Sequence, residues 1–126
     1  MPKPTIVVID DDQHLVELIQ EYLDAQGYVV YTALNGLHAL PLAKTRKPAV
    51  MILDVDMPFT NGLQALRMLR DDPETKSIPV IMLTGVVSGE IFPVVEKLAR
   101  VSHLKKPVSL EDLGSMVRHY APNADK

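Results

Sequence analysis

The sequence predicts an α/β fold, a doubly wound parallel sheet of five strands with five flanking helices, and three observations predict it. Short apolar runs rich in β-branched side chains recur along the chain, each ending at a polar residue or glycine, as strands buried on both faces require. Between them, apolar residues return at helical spacing. The links are short, and regular alternation with right-handed crossovers leaves a sheet covered on both sides by helices as the solution.

In chain order, Thr5 to Ile9 is the first strand, and Leu15, Leu18, Ile19, Tyr22 and Leu23 mark the stripe of the first helix, capped by Asp12 and stopped by Gly27. Tyr28 to Ala33 is the second strand. The helix that follows, Leu37 to Arg46, contains Pro41, which removes a backbone donor and predicts a late start or a kink. Ala49 to Leu53 is the third strand, followed by a helix opened by Asn61 and marked by Leu63, Leu66 and Leu69. Ile78 to Leu83 is the fourth strand, and its helix, Glu90 to Arg100, is weakened by Pro93. Ser102 to Lys105 makes a short fifth strand. Leu110, Leu113, Met116, Val117 and Tyr120 mark the last helix, with Ser109 as its N-cap.

At 126 residues the chain fits a single domain with a core over about residues 5–120, leaving loose ends at Met1 to Pro4 and from Ala121. With 47% hydrophobic and 23% charged residues it should fold. No apolar run is long enough to span a bilayer and no export signal opens the chain, so the expected location is cytoplasmic, with no membrane partner. The absence of cysteine excludes disulfides, thiolate metal sites and cysteine nucleophiles. Net charge is −3 and the 13 Lys and Arg residues are scattered apart from Lys105-Lys106, so no face for direct nucleic-acid binding is visible. The histidines His14, His38, His103 and His119 lack the spacing that would put two on one helical face as metal ligands, and three of them read as surface residues.

Open α/β sheets gather ligands at the carboxyl ends of their strands. Here those ends carry Asp10-Asp11-Asp12, Asp54, Thr84 and Lys106-Pro107. Two carboxylates about 4 Å apart repel by roughly 4 kcal/mol at an effective dielectric near 20, so the rim calls for a hard divalent cation. Mg²⁺ suits a shallow site of carboxylates, one carbonyl and a phosphate oxygen, with Lys106 neutralising what the metal leaves.

Four segments carry a family resemblance: Ile6-Val7-Val8-Ile9-Asp10-Asp11-Asp12, Asp54-Val55-Asp56-Met57-Pro58, Ile78-Pro79-Val80-Ile81-Met82-Leu83-Thr84-Gly85 and Leu104-Lys105-Lys106-Pro107. In order and spacing the chain resembles the receiver domain of bacterial two-component response regulators, from about Thr5 to Tyr120. The resemblance implies a flavodoxin-like sheet in the order 2-1-3-4-5 and a cis peptide before Pro107. It implies Asp54 as phosphoacceptor, with Asp10, Asp11, Asp54 and the backbone carbonyl of Asp56 binding Mg²⁺ (or Mn²⁺), and Thr84 and Lys106 holding the phosphoryl oxygens. The switch pair would be Thr84 and His103. The implied partners are a sensor histidine kinase or histidine phosphotransfer protein, and a downstream protein or a second copy docking on the fourth helix, fifth strand and fifth helix. Such a domain is not a conventional enzyme; it catalyses its own phosphorylation and dephosphorylation.

The chain departs from the commonest pattern at Asp56, where a neutral or nonpolar side chain is more usual, at Gly85 and Val86, at His103 in place of Tyr or Phe, and at Arg100-Val101-Ser102 in place of a small turn. Two other readings compete. One is a non-phosphorylated docking module with the same fold. The other is a haloacid dehalogenase-type phosphatase, whose Asp-x-Asp loop Asp54-Val55-Asp56 imitates. With no output domain after the last helix, the chain reads as a stand-alone regulator or the receiver of a longer protein.

Overall fold

The computed structural model describes residues 3–57, 62–85 and 100–122. The strands β1 (Thr5–Ile9), β2 (Val29–Ala33), β3 (Val50–Asp54), β4 (Val80–Thr84) and β5 (Val101–Lys105) form one parallel sheet. Its order is β2-β1-β3-β4-β5, as the resemblance implied. Among the described residues the helices are α1 (Gln13–Ala25), α2 (Ala39–Arg46), α3 (Gly62–Asp71) and α4 (Leu110–Tyr120). The helix expected from Glu90, with Pro93 inside it, lies outside the described residues except for Arg100, and so do Pro58, Asn61 and Val86. The last helix expected from sequence is therefore α4.

The two faces of the sheet follow from the two-residue period of a strand. Ile6, Val8, Val50, Ile52, Ile81 and Leu83 face α1 and α4, where they meet Val16, Ile19, Leu23, Leu113 and Val117. Val7, Ile9, Met51, Leu53, Val80 and Met82 face α2 and α3, meeting Ala43, Ala65, Leu66 and Leu69. Each fully buried aliphatic side chain contributes about 1.5 to 3 kcal/mol.

Element ends differ from the sequence reading by a residue or two, with local causes. β4 begins at Val80 rather than Ile78 because the Ile78 N–H is spent on the Thr75 carbonyl at 3.1 Å and Pro79 has none to give. The stripe of α1 runs through Val16, Ile19 and Leu23, while Leu18 is 40% exposed. Pro41 is accommodated as a late start: a 3-10 turn over Gly36–His38 precedes α2, and Pro41 sits in its first turn. Asp12 caps α1, accepting the Leu15 N–H at 3.2 Å, and Ser109 caps α4, accepting the Asp112 N–H at 3.2 Å. Arg100, where a small turn residue was more usual, takes a left-handed φ of 62° and its Nη1 donates to the Ser77 carbonyl at 2.9 Å, a bond that offsets part of the backbone cost.

The C-terminal end of α4 is tied to the start of β2 by the buried Tyr28 hydroxyl, which donates to the Ala121 carbonyl at 2.7 Å. Tyr28→Phe leaves that carbonyl without its donor and should cost about 1 to 2 kcal/mol in urea unfolding. An unchanged midpoint would mean that water replaces the hydroxyl.

Candidate functional site: an acidic cluster at the carboxyl ends of the strands

Parallel pairing brings the ends of β1, β3 and β4 to one rim, and the start of the next loop after β5 joins them. Asp10 follows β1 directly, held by its N–H on the Ala33 carbonyl at 3.2 Å. Asp54 is the last residue of β3, one position beyond the expected end, and pairs with Leu83. Thr84 ends β4 and pairs with Lys105, and the next N–H, that of Lys106, donates to the Thr84 carbonyl at 2.7 Å. Asp10, Asp54 and Thr84 are buried, Lys106 is partly so, and Asp11 and Asp56 are exposed.

The side chains converge. Lys106 Nζ lies 3.0 Å from Asp10 Oδ2 and 3.3 Å from Asp54 Oδ1, bridging two carboxylates that share no other cation among the described residues. The contact with Asp10 Oδ2 is an ion pair without hydrogen-bond geometry. Asp10 Oδ1 accepts the Asp12 N–H at 2.9 Å, and Asp54 Oδ1 accepts the Asp56 N–H at 3.1 Å. Each loop thus aims its own carboxylate with a backbone donor two residues on. Among the described residues, Asp54 Oδ2 and Thr84 Oγ1 are buried without a hydrogen-bond partner. Such atoms are costly to leave unmade unless something else binds there.

Electrostatics match that geometry. The Asp54 carboxyl is pushed up from 3.8 to about 6, first by burial and then by the Asp10 charge, against the opposing pull of the Asp56 N–H and Lys106. Burial disfavours the charged Lys106 ammonium, but pairing with Asp10 and Asp54 outweighs it and its pKa is raised. One oxygen from each of Asp10, Asp11 and Asp54 lies within 4.8 Å of the others, the separation that carboxylates sharing one hard cation adopt. These donors fit a divalent ion.

Of the residues expected from sequence, Asp10, Asp11, Asp54, Thr84 and Lys106 come together. The Lys106–Pro107 peptide is cis, as implied. His103 lies inside the sheet beside Met82, two pairs short of the Thr84–Lys105 rim, and is partly buried. Two contacts escaped the sequence reading. Gly62, the first residue of α3, packs against the Asp54 backbone so closely that a Cβ there would lie 2.2 Å from the Asp54 carbonyl oxygen. The Asp56 side chain reaches across to the next loop, its Oδ2 accepting the Gly85 N–H at 3.3 Å. The first is a close approach of the start of α3 to the end of β3 and the second joins two loops, and spacing along the chain gives no signal for either.

An α/β sheet of this order, with an acidic trio and a lysine on its carboxyl rim, defines a phosphoacceptor signalling domain. The chain matches the family model for the response regulator receiver domain over residues 6–118 and belongs to that family. It is similar to the polar-differentiation response regulator DivK of Brucella anthropi, with 27% identity over 124 residues that cover 98% of this chain and 100% of that protein. Among solved structures it resembles the chemotaxis protein CheY4 of Vibrio cholerae, with a TM-score of 0.86 and 27% identity over 94% of this chain and 99% of that one. It also resembles the receiver domain of the Francisella response regulator 1452, with a TM-score of 0.83 and 29% identity over 94% and 96% of the two chains. The phosphatase reading is not favoured: Asp54-Val55-Asp56 follows the third strand of a receiver sheet. Nor is the docking module, since the acidic site is present. No helix among the described residues is long and apolar enough to cross a membrane.

Proposed function

We propose that Asp54 accepts a phosphoryl group from a phosphohistidine of a sensor histidine kinase or histidine phosphotransfer protein, within a single cytoplasmic receiver whose core spans about residues 5–120. The observation that carries this reading is Asp54 Oδ2, buried and unpartnered among the described residues, next to the Asp10 and Asp11 carboxylates and the Lys106 ammonium. Asp10, Asp11, Asp54 and the Asp56 backbone carbonyl would hold a Mg²⁺ or Mn²⁺ ion, which supplies charge neutralisation at the phosphoryl oxygens.

In the transfer, an Asp54 carboxylate oxygen attacks phosphorus in line; the new P–O bond forms as the P–N bond breaks, and the imidazole leaves with the electron pair. Lys106 Nζ and Thr84 Oγ1 donate to the phosphoryl oxygens as charge builds on them. Dephosphorylation is attack of water on the same phosphorus, with the Asp54 carboxylate leaving. A phosphodonor protein would approach over the cavity of about 320 Å³ lined by Asp12, His14, Leu15, Leu18, Lys106 and Pro107, which gives the exposed Leu18 a use. Movement of Thr84 toward the phosphoryl group would be followed by His103, and the signal read on β5, α4 and the segment expected as the fourth helix, by a downstream protein or a second copy.

Asp54→Asn should abolish Mg²⁺-dependent labelling by acetyl phosphate or a phosphorylated kinase. Equal labelling of the variant and the native domain would refute the assignment, and absence of label on the native domain would revive the docking module.

A further inference from the structure

One contact at the rim is not used by the phosphoryl chemistry just described. Asp56 is exposed, and its Oδ2 accepts the Gly85 backbone N–H at 3.3 Å, joining the loop after β3 to the loop after β4. The Asp56 N–H is itself committed to Asp54 Oδ1 at 3.1 Å. A Cβ on Gly85 would lie 3.6 Å from that same Asp56 oxygen and 4.0 Å from Lys106 Cδ, so this residue borders the Lys106 side chain that reaches Asp54. Gly85 directly follows Thr84, whose buried hydroxyl oxygen has no partner among the described residues. The anion that the Gly85 N–H binds is therefore the protein's own carboxylate, beside the Lys106 side chain that reaches Asp54.

We infer that the Asp56 carboxylate is an internal substitute for a phosphoryl oxygen: it occupies the Gly85 N–H in the unphosphorylated domain and yields it when Asp54 is modified. Asp56 is thus a positioning residue that weakens the hold of the site on a phosphoryl group. This rests on the phosphoacceptor reading above. Two effects act in the same direction. One N–H serves one anion well, and the Asp56 charge repels a second anion brought nearby. At 3.3 Å the bond is long for N–H···O and lies on an exposed surface, so exchange costs little and the tether tunes the site without closing it.

The test is titration of the ¹⁵N-labelled protein with beryllofluoride, a phosphoryl mimic, at saturating Mg²⁺, following the Gly85 amide resonance in the native domain, Asp56→Ala and Asp56→Asn. Before beryllofluoride is added, the Gly85 amide proton should resonate upfield in Asp56→Ala relative to native, because its charged acceptor is gone. Asp56→Ala should bind beryllofluoride about threefold to tenfold more tightly than native, the factor that one modest hydrogen bond represents. Asp56→Asn, which keeps an acceptor oxygen but no charge, should fall between. Equal affinities, or a Gly85 resonance indifferent to residue 56, would overturn the inference. A gain in Asp56→Asn as large as in Asp56→Ala would reduce Asp56 to a bare charge and overturn the tether. Failure of the native domain to bind beryllofluoride at all would count against the phosphoacceptor reading instead, and the Gly85 comparison without beryllofluoride still tests the tether.

Discussion

Gly62→Ala should destabilise the domain by roughly 2 to 4 kcal/mol and sharply reduce phosphoryl labelling of Asp54. The added methyl would lie 2.2 Å from the Asp54 carbonyl oxygen and 2.9 Å from the Val55 Cα, both backbone atoms of the segment that carries the proposed phosphoacceptor. No side-chain rotation relieves a clash between a Cβ and backbone. The N–H of Gly62 also donates to the Val55 carbonyl at 3.0 Å, so α3 cannot retreat without giving up that bond. Either α3 or the end of β3 must shift, and a shift at Asp54 moves its carboxylate away from Lys106. Urea unfolding and acetyl phosphate labelling on the same preparation separate the two outcomes: lost stability with normal labelling places the movement in α3. A variant matching native in both would show that the close approach is not required.

Asp54→Asn, besides ending phosphorylation, should make the cation-free domain more stable near pH 8. The Asp54 carboxyl is raised from 3.8 to about 6 in the fold, chiefly by burial and then by Asp10. A group that holds its proton more tightly when folded contributes stability that is fully present below its unfolded value and is lost as pH rises through its folded value. The native domain without cation should therefore lose on the order of 2 to 3 kcal/mol between about pH 4 and pH 6 from this group, and Asp54→Asn should not. In EDTA at pH 8 the variant should melt roughly 5 to 10 °C higher. Adding Mg²⁺ should raise the native melting temperature far more than that of the variant, closing the gap by linkage. Identical melting curves in EDTA at pH 8 would mean that Lys106 fully compensates the Asp54 charge.

Most of the sheet was legible because strands buried on both faces announce themselves as continuous apolar runs, and Thr5–Ile9 carries that pattern without ambiguity. Asp10, Asp54 and Thr84 were legible for a related reason, since each is the first polar side chain after such a run, whereas Asp11 and Lys106 stand one place beyond another charged residue and were legible through the motifs that carry the family resemblance. Periodicity was less decisive on α1. Leu15, Leu18 and Tyr22 form one helical row and Val16, Ile19 and Leu23 another; only the position of the sheet decides that the second is buried and that Leu18 is left outside. The edges of β4 depended on Pro79 and on the Ile78 turn bond, which act below the resolution of a hydropathy pattern. The Gly62 and Asp56–Gly85 contacts were not legible at all, because the first is set by how closely α3 packs on the end of β3 and the second by two loops that meet only in the folded sheet.

The bridging of Asp10 and Asp54 by Lys106 has a consequence for biosynthesis. The two acidic partners leave the ribosome before their ammonium, which arrives only with the segment after β5. A polypeptide stopped before that segment has acids that would repel one another with no counter-charge, and the paired site is completed only on chains translated beyond β5.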